Sequence, residues 1–262
     1  MKGSRARWRI VLVRPRNPLN IGAAARAMAN FGFGDLVVVA PHEPVWRETR
    51  SAVGAEEIVQ SARLSDDLQA AIGDCALVVG TTSGSRRNFD RDLISLAEFP
   101  KWLGRRDQTQ STRDRQHFRP KRAALLFGSE KTGLSNEHLS FCHVLVRIPT
   151  TPDCPSMNLG QAVAVCCYQL CRPRGRGHKR AISSRSSGIR VHHSDPANLQ
   201  SLIHVFERVE RVLDRVGYLK PKSRAATLVK MRRLLLDLEL TNNDVKILGG
   251  ILAQIEWKLQ NS

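Results

Sequence analysis

Arg9-Ile-Val-Leu-Val13-Arg-Pro-Arg-Asn-Pro-Leu-Asn20-Ile-Gly22-Ala-Ala-Ala-Arg26-Ala-Met28 reads as a strand, a turn and the opening of a helix. The apolar run from Arg9 to Val13 lacks the polar alternation of a half-exposed strand, which suits a parallel sheet covered on both faces. Similar runs recur at Leu36 to Val39, Leu77 to Gly80, Ala123 to Phe127 and His143 to Ile148. Between them the spacing predicts helices over Ile21 to Phe31 behind a cap at Asn20, Asp66 to Ile72 behind Ser65, Leu96 to Leu103, and Asn158 to Leu170. Alternating strands and helices predict an α/β domain over residues 1–171.

The composition changes at Arg172. Through Pro196 the chain is rich in Arg, Gly, Ser and His, which predicts a basic flexible linker over 172–196. Beyond it, Ala197 to Val216, Ser223 to Leu236 and Asn242 to Leu259 repeat apolar residues at three-to-four spacing, so 197–262 should form a small all-helical module.

Lysine and arginine number 41 against 24 acidic residues, a formal charge of +17 that favours a polyanionic partner, nucleic acid first. Aromatics make up only 5% of the chain, which argues against base-stacking platforms and for recognition of phosphate charge and shape. Arg16 and the basic stretch from Gly104 to Arg122, with Arg113 and Arg115, are candidate RNA contacts; that stretch reads equally well as a solvated insertion loop. No apolar run reaches the roughly eighteen residues of a membrane span, so a cytoplasmic protein without membrane association is expected. The 6 cysteines lack C-x-x-C spacing and zinc-finger histidines, and are read as reduced, mostly buried thiols with no metal.

Three segments carry candidate chemistry. In the first, Arg26 stands on a helix otherwise built of alanines, where it either reaches over a cleft or lies along the surface, and Gly22 allows a close approach. The second, Leu125-Leu-Phe-Gly128-Ser-Glu130-Lys-Thr-Gly133-Leu-Ser-Asn136-Glu137, places an acidic loop after a strand. It is no phosphate loop, because Leu134 follows the second glycine where lysine is needed. At the carboxyl edge of a parallel sheet, Glu130 would face a ligand crevice. The third, Val146-Arg-Ile148-Pro-Thr-Thr-Pro-Asp-Cys-Pro155-Ser156-Met157-Asn158-Leu-Gly160, is a strand, a proline-rich turn and a helix start in which Ser156 or Asn158 could serve simply as the cap. The helix after it, apolar nearly all round from Ala162 to Tyr168, should be buried on more than one side, as at a dimer interface. No G-x-G-x-x-G follows the first strand, which argues against a Rossmann-type methyltransferase.

In this order and spacing, Asn20-x-Gly22-x-x-x-Arg26, Phe127-Gly128-x-Glu130-x-x-Gly133-Leu and Ser156-x-Asn158-Leu resemble the SPOUT superfamily of RNA methyltransferases, TrmH-like branch. The strand ending Val78-Val-Gly80-Thr81-Thr82-Ser83, with Lys230-Met-Arg-Arg-Leu and Ile247-Leu-Gly-Gly-Ile-Leu in the tail, is similar to the TrmJ group of that branch. The resemblance implies a parallel sheet with a C-terminal trefoil knot, a homodimer, S-adenosylmethionine as cofactor, and 2'-O-methylation of tRNA at nucleotide 32 of the anticodon loop. It further implies catalytic positions at Arg26, Ser156, Asn158, Glu130 and Asn20. Thr81, Thr82, Ser83, Gly128, Ile148, Pro155, Ser156 and Met157 would surround the cofactor. Members of the group can carry a further arginine where this chain has Gly84; Arg86 and Arg87 lie nearby and are candidate RNA contacts. They often place a small polar residue where Pro155 stands.

Methyl transfer from a sulfonium to a ribose hydroxyl needs in-line placement and loss of one proton. A guanidinium is a poor proton acceptor near neutrality, so Arg26 is expected to orient the substrate and stabilise developing alkoxide charge, positioned by Ser156 and Asn158. Glu130 is expected to fix its loop or Arg26. The alternatives are 2'-O-methylation of ribosomal RNA, or an RNA-binding protein with a vestigial cofactor site.

Overall fold

The computed structural model describes residues 7–83, 92–111, 122–172 and 196–261, with backbone only for 107–111. Seven strands form one parallel sheet: β1 (Trp8–Val13), β2 (Asp35–Val39), β3 (Arg63–Ser65), β4 (Leu77–Thr81), β5 (Leu93–Ser95), β6 (Ala123–Phe127) and β7 (Val144–Arg147), in spatial order β3-β2-β1-β6-β4-β7-β5. Because every pair is parallel, all carboxyl ends share one edge, where a crevice for ligands is expected.

Alternate side chains of each central strand enter two different cores. Trp8, Ile10 and Leu12 join Leu36, Val38, Val79, Leu125 and Phe127 on one face, while Val11, Val13, Val37, Val39, Val78 and Leu126 face the other. Burial on both sides is why these strands read as unbroken apolar runs.

The first face is covered by α1 (Pro18–Phe31), α2 (Glu56–Ser61), α4 (Phe99–Ser111) and α6 (Leu159–Cys171); on the second lie α3 (Leu68–Ile72), α5 (Asn136–Ser140) and the tail helices α7 (Leu199–Arg215), α8 (Arg224–Asp237) and α9 (Asn242–Gln260). The tail packs directly on the sheet. Leu199, Leu202, Ile203, Val205 and Phe206 sit in the same core as the strand residues, and the backbone N–H groups of Leu199 and Gln200 donate to the carbonyls of Cys75 and Gly73.

Several sequence expectations shift. The cap of α1 is Asn17, whose side chain accepts from Leu19 N–H, rather than Asn20; Pro18 then occupies the first turn, where its missing N–H costs nothing. Likewise Asp67, not Ser65, caps α3, accepting from Ala70 N–H. The helix expected over Leu96 to Leu103 begins at Phe99 and runs to Ser111, so the start of the basic stretch is helical rather than loop; Arg113 and Arg115 lie outside the described residues. The linker from 172 to 196 is likewise outside them, apart from Arg172 and Pro196.

One buried charge sits in the sheet. Arg9, 1% exposed, donates to Asp74 Oδ1 at 2.5 Å, to Asp35 Oδ2 at 3.1 Å and to the Ala71 carbonyl, while Arg122 closes on Asp74 from outside. Burial works to raise the Asp74 carboxyl, but the two arginines outweigh it and hold it down at about 2. Of the six thiols, Cys75, Cys142, Cys166 and Cys167 are buried, Cys171 is half-buried and Cys154 is exposed. Burial pushes Cys75 and Cys167 up to about 12.

Candidate active site

At the carboxyl edge, the ends of β4, β6 and β7 enclose a cavity of about 530 Å³. Thr81, Thr82, Ser83, Gly128, Ile148, Pro155, Ser156 and Met157 all line it, so the eight positions named from the sequence for a cofactor meet in one place. Phe127, Leu134, Leu139 and Leu159 add apolar wall, and Lys131 and Thr150 stand at its polar side. These were missed because their contribution depends on how three distant segments converge. The volume falls in the range of roughly 300–1,000 Å³ typical of small organic ligands.

Two hydrogen bonds set the cavity's shape. Thr81 Oγ1 donates to the Leu126 carbonyl at 2.8 Å, and Thr82 N–H donates to the Val146 carbonyl at 3.1 Å, tying the end of β4 and the residue after it to the two neighbouring strands. The loop after β6 folds back on itself, with Gly133 N–H donating to the Ser129 carbonyl at 2.8 Å. Only glycine fits at 128, because a Cβ there would lie 2.1 Å from the carbonyl carbon of Gly133.

The three motifs are joined by a chain of hydrogen bonds. Asn20 Nδ2 donates to Glu130 Oε1 at 2.8 Å, and Asn158 Nδ2 donates to Asn20 Oδ1 at 2.9 Å. Asn158 Oδ1 in turn accepts from Gly160 N–H at 2.9 Å and caps α6, so the capping reading of Asn158 holds alongside its link to Asn20. Glu130 also accepts from the backbone N–H groups of Arg16 and Asn17. Desolvation pushes its carboxyl up, but the Asn20 side chain and the backbone N–H donors outweigh it and hold it below the usual carboxylate range. Glu130 therefore stays ionised and anchors the turn before α1. It does not pair with Arg26, which corrects one of the two expectations for it.

Arg26 is exposed, lines neither this cavity nor its neighbour, and has no hydrogen-bond or ion-pair partner among the described residues. It shares a stripe with Leu19, Ala23 and Asn30 at the spacing of one helix face, and Leu19 is 51% exposed. Within this chain neither Ser156 nor Asn158 hydrogen-bonds to Arg26. Gly22 is spaced for protein rather than ligand, since a Cβ there would meet the Ser51 and Thr49 hydroxyls. Helix α6 buries Val163, Cys166 and Cys167, yet Tyr168 is 53% exposed and packs against Phe31 of α1, so α1 and α6 present a partly apolar outer surface together.

Arg16 lines a second cavity beside the first. Arg86, Arg87, Arg113 and Arg115 lie outside the described residues. Among the described residues no group of three or more His, Cys, Asp or Glu could hold a metal ion, and no helix is long and apolar enough to cross a membrane.

Residues 7–168 match the SpoU rRNA methylase family, and residues 200–262 match the C-terminal domain of tRNA methyltransferase TrmJ. The chain is 31% identical over 256 residues to the tRNA (cytidine/uridine/adenosine-2'-O-)-methyltransferase TrmJ of Pseudomonas aeruginosa, covering 95% of this chain and 94% of that protein. An uncharacterized tRNA/rRNA methyltransferase of Haemophilus influenzae is 30% identical over 251 residues, covering 96% and 95% respectively. The crystal structure of TrmJ from Z. mobilis superposes with a TM-score of 0.76 at 26% identity, covering 95% of this chain and 98% of that one. A sheet edge that gathers three separated motifs and two family models that between them span nearly all the described chain lead to one assignment: the chain belongs to the SpoU methylase family, within its TrmJ group.

Proposed function

We propose that this chain is an S-adenosylmethionine-dependent tRNA 2'-O-methyltransferase acting on nucleotide 32 of the anticodon loop. The observation that carries this reading is the convergence of three motifs: Asn20, Glu130 and Asn158 form one hydrogen-bonded chain beside a cavity lined by all eight cofactor positions. The TrmJ-type match over 200–262 favours tRNA over ribosomal RNA.

The cavity fits the cofactor in character. Its apolar wall suits an adenine ring, its hydroxyls and Lys131 suit ribose and carboxylate groups, and the glycine at 128 leaves backbone rather than side chain at the wall. When bound, the cofactor supplies a methyl group activated by its sulfonium. The chain's own work is positional. Glu130 holds the turn between β1 and α1, Asn158 locks the start of α6 to the first turn of α1 through Asn20, and Ser156 lines the cavity.

Arg26 then acts from the outer face of α1. We propose that a second copy docks on the surface formed by α1 and α6, bringing Arg26 of each chain to the other's cavity, where the guanidinium orients the ribose and offsets developing alkoxide charge. The trefoil knot that the resemblance implies belongs to the same reading.

Labelled-methyl transfer into bulk tRNA, with the modified nucleotide mapped, tests the reading. Arg26→Ala is expected to abolish transfer while cofactor binding, followed by calorimetry, persists. Arg26→Lys keeps the charge and loses the planar fork, and should retain little turnover. Mixing Arg26→Ala chains with Ile148→Trp chains, whose cavity is filled, should restore activity that neither possesses alone. Wild-type protein with no affinity for S-adenosylmethionine, or methyl found only in ribosomal RNA, would sink the proposal.

A further inference from the structure

The second cavity, about 410 Å³, opens at the carboxyl ends of β1 and β2 and is lined by Arg14, Arg16, His42, Ser129 and Thr132 with Ala40 and Pro41. No carboxylate lines it. Elsewhere the arginines of the described structure are commonly matched: Arg9 and Arg122 with Asp74, Arg63 with Asp35, Arg208 and Arg211 with Glu256, Arg224 with Glu210 and Asp214. The guanidinium groups of Arg14 and Arg16 have no such partner among the described residues. Two like charges facing one cavity repel each other until an anion enters.

Nearby acids do not fill that role. Glu130 is occupied by the N–H groups of Arg16 and Asn17 and by the Asn20 amide, and Asp67 accepts from Ala70 N–H as the cap of α3.

The backbone holds these groups in place at a cost. Arg14 and Ala40, one residue past β1 and β2, adopt left-handed conformations with φ of 53° and 43°, which side chains other than glycine rarely take. They are pinned by Arg14 N–H to the Val39 carbonyl at 2.8 Å, Ala40 N–H to the Ser65 carbonyl at 2.9 Å, and His42 N–H to the Pro15 carbonyl at 3.0 Å. The result brings Arg14, Arg16 and His42 to the lining of one opening. Ser129 and Thr132 belong to this cavity and to the larger one at once, so an anion seated here lies next to whatever occupies the methyl-transfer site.

We infer that this cavity seats a backbone phosphate of the RNA strand beside the ribose that is methylated, held by the Arg14 and Arg16 guanidinium groups. The inference rests on the methyltransferase reading for its neighbour, and on charge and geometry for itself. A planar guanidinium fork matches the oxygens of a phosphodiester, and paired forks explain two arginines better than one carboxylate ligand would. The other anion within reach of such a pocket is the carboxylate of the cofactor, and the test separates the two.

The double variant Arg14→Gln/Arg16→Gln is compared with wild type and with Arg50→Gln/Arg215→Gln, which removes equal charge at exposed positions outside both cavities. Thermal unfolding verifies that each folds. The cavity variant is expected to raise KM for tRNA about tenfold or more, to flatten the plot of log binding constant against log salt by about 1, and to leave the S-adenosylmethionine dissociation constant unchanged. A KM and salt slope equal to those of the charge-matched control would overturn the inference. So would a cofactor affinity weakened as much as the tRNA affinity, which would give the pocket to the cofactor's carboxylate. If wild-type protein transfers no methyl group, the methyltransferase reading falls, while the tRNA-binding comparison still decides the phosphate site.

Discussion

Asn20 is the residue on which the site converges, since its amide both donates to Glu130 and accepts from Asn158. Asn20→Ala would leave the Asn158 amide and one Glu130 oxygen each short of a partner. The expected cost is about 1 kcal/mol in stability and at least about tenfold in turnover, read by denaturant unfolding and by methyl transfer at saturating cofactor. The asparagine was legible as part of a motif, but its partners were not: it looked like a cap because caps act locally, whereas Glu130 lies 110 positions away. The adjacent Asn17-Pro18 pair was the better cap signal. Asp74 makes a separate prediction. Its folded-state carboxyl is depressed to about 2 from an ordinary 3.8, so its contribution is fully present above pH 3.8 and is lost as pH falls toward 2. Asp74→Asn should cost about 1 kcal/mol near neutrality, since solvent screens the half-exposed carboxylate and Arg9 keeps Asp35, and should flatten the acid limb of stability between about pH 4 and pH 2. Urea unfolding across that interval measures both.

At the scale of elements, length and burial decided what could be read. The apolar runs of β1, β2, β4, β6 and β7 announced themselves because both faces are covered. Strands β3 and β5 are three residues each at the two edges of the sheet, largely exposed or half-buried, and too short to show a period. Helices α2 and α5, six and five residues long, are likewise shorter than two turns. The long pair α1 and α6 was found, yet not its closeness. A Cβ at Gly160 would stand 2.7 Å from that of Ala23, so the two helices touch where α6 begins. Gly160→Val should therefore force them apart, costing about 2 kcal/mol, and should lower turnover further because Asn158 caps the displaced end. The drop in melting temperature and the rate of methyl transfer report the two effects.

Across the whole molecule, the sequence pattern suggested a methyltransferase domain, a basic linker and a small helical module, but not that α7 completes a core shared with the sheet. Charge and glycine content mark a change of character at Arg172 without revealing that the chain returns to cover the face it left open. Truncation after Cys171 would uncover Val11, Val13, Val37, Val39 and their neighbours. The shortened chain should bind a hydrophobic dye and unfold at a clearly lower temperature than the full chain; an unchanged melting curve would mean that the tail contributes nothing to the core. The hairpin from Gly128 to Gly133 has a role at this scale too, because it stands between two compartments and belongs to both. Such a partition cannot yield to one guest without the other sensing it, and free-energy linkage makes the influence mutual. Whatever factor the proposed sulfonium donor imposes on the grip for nucleic acid, nucleic acid must return to the donor, so titrations run in either order should close the same thermodynamic square.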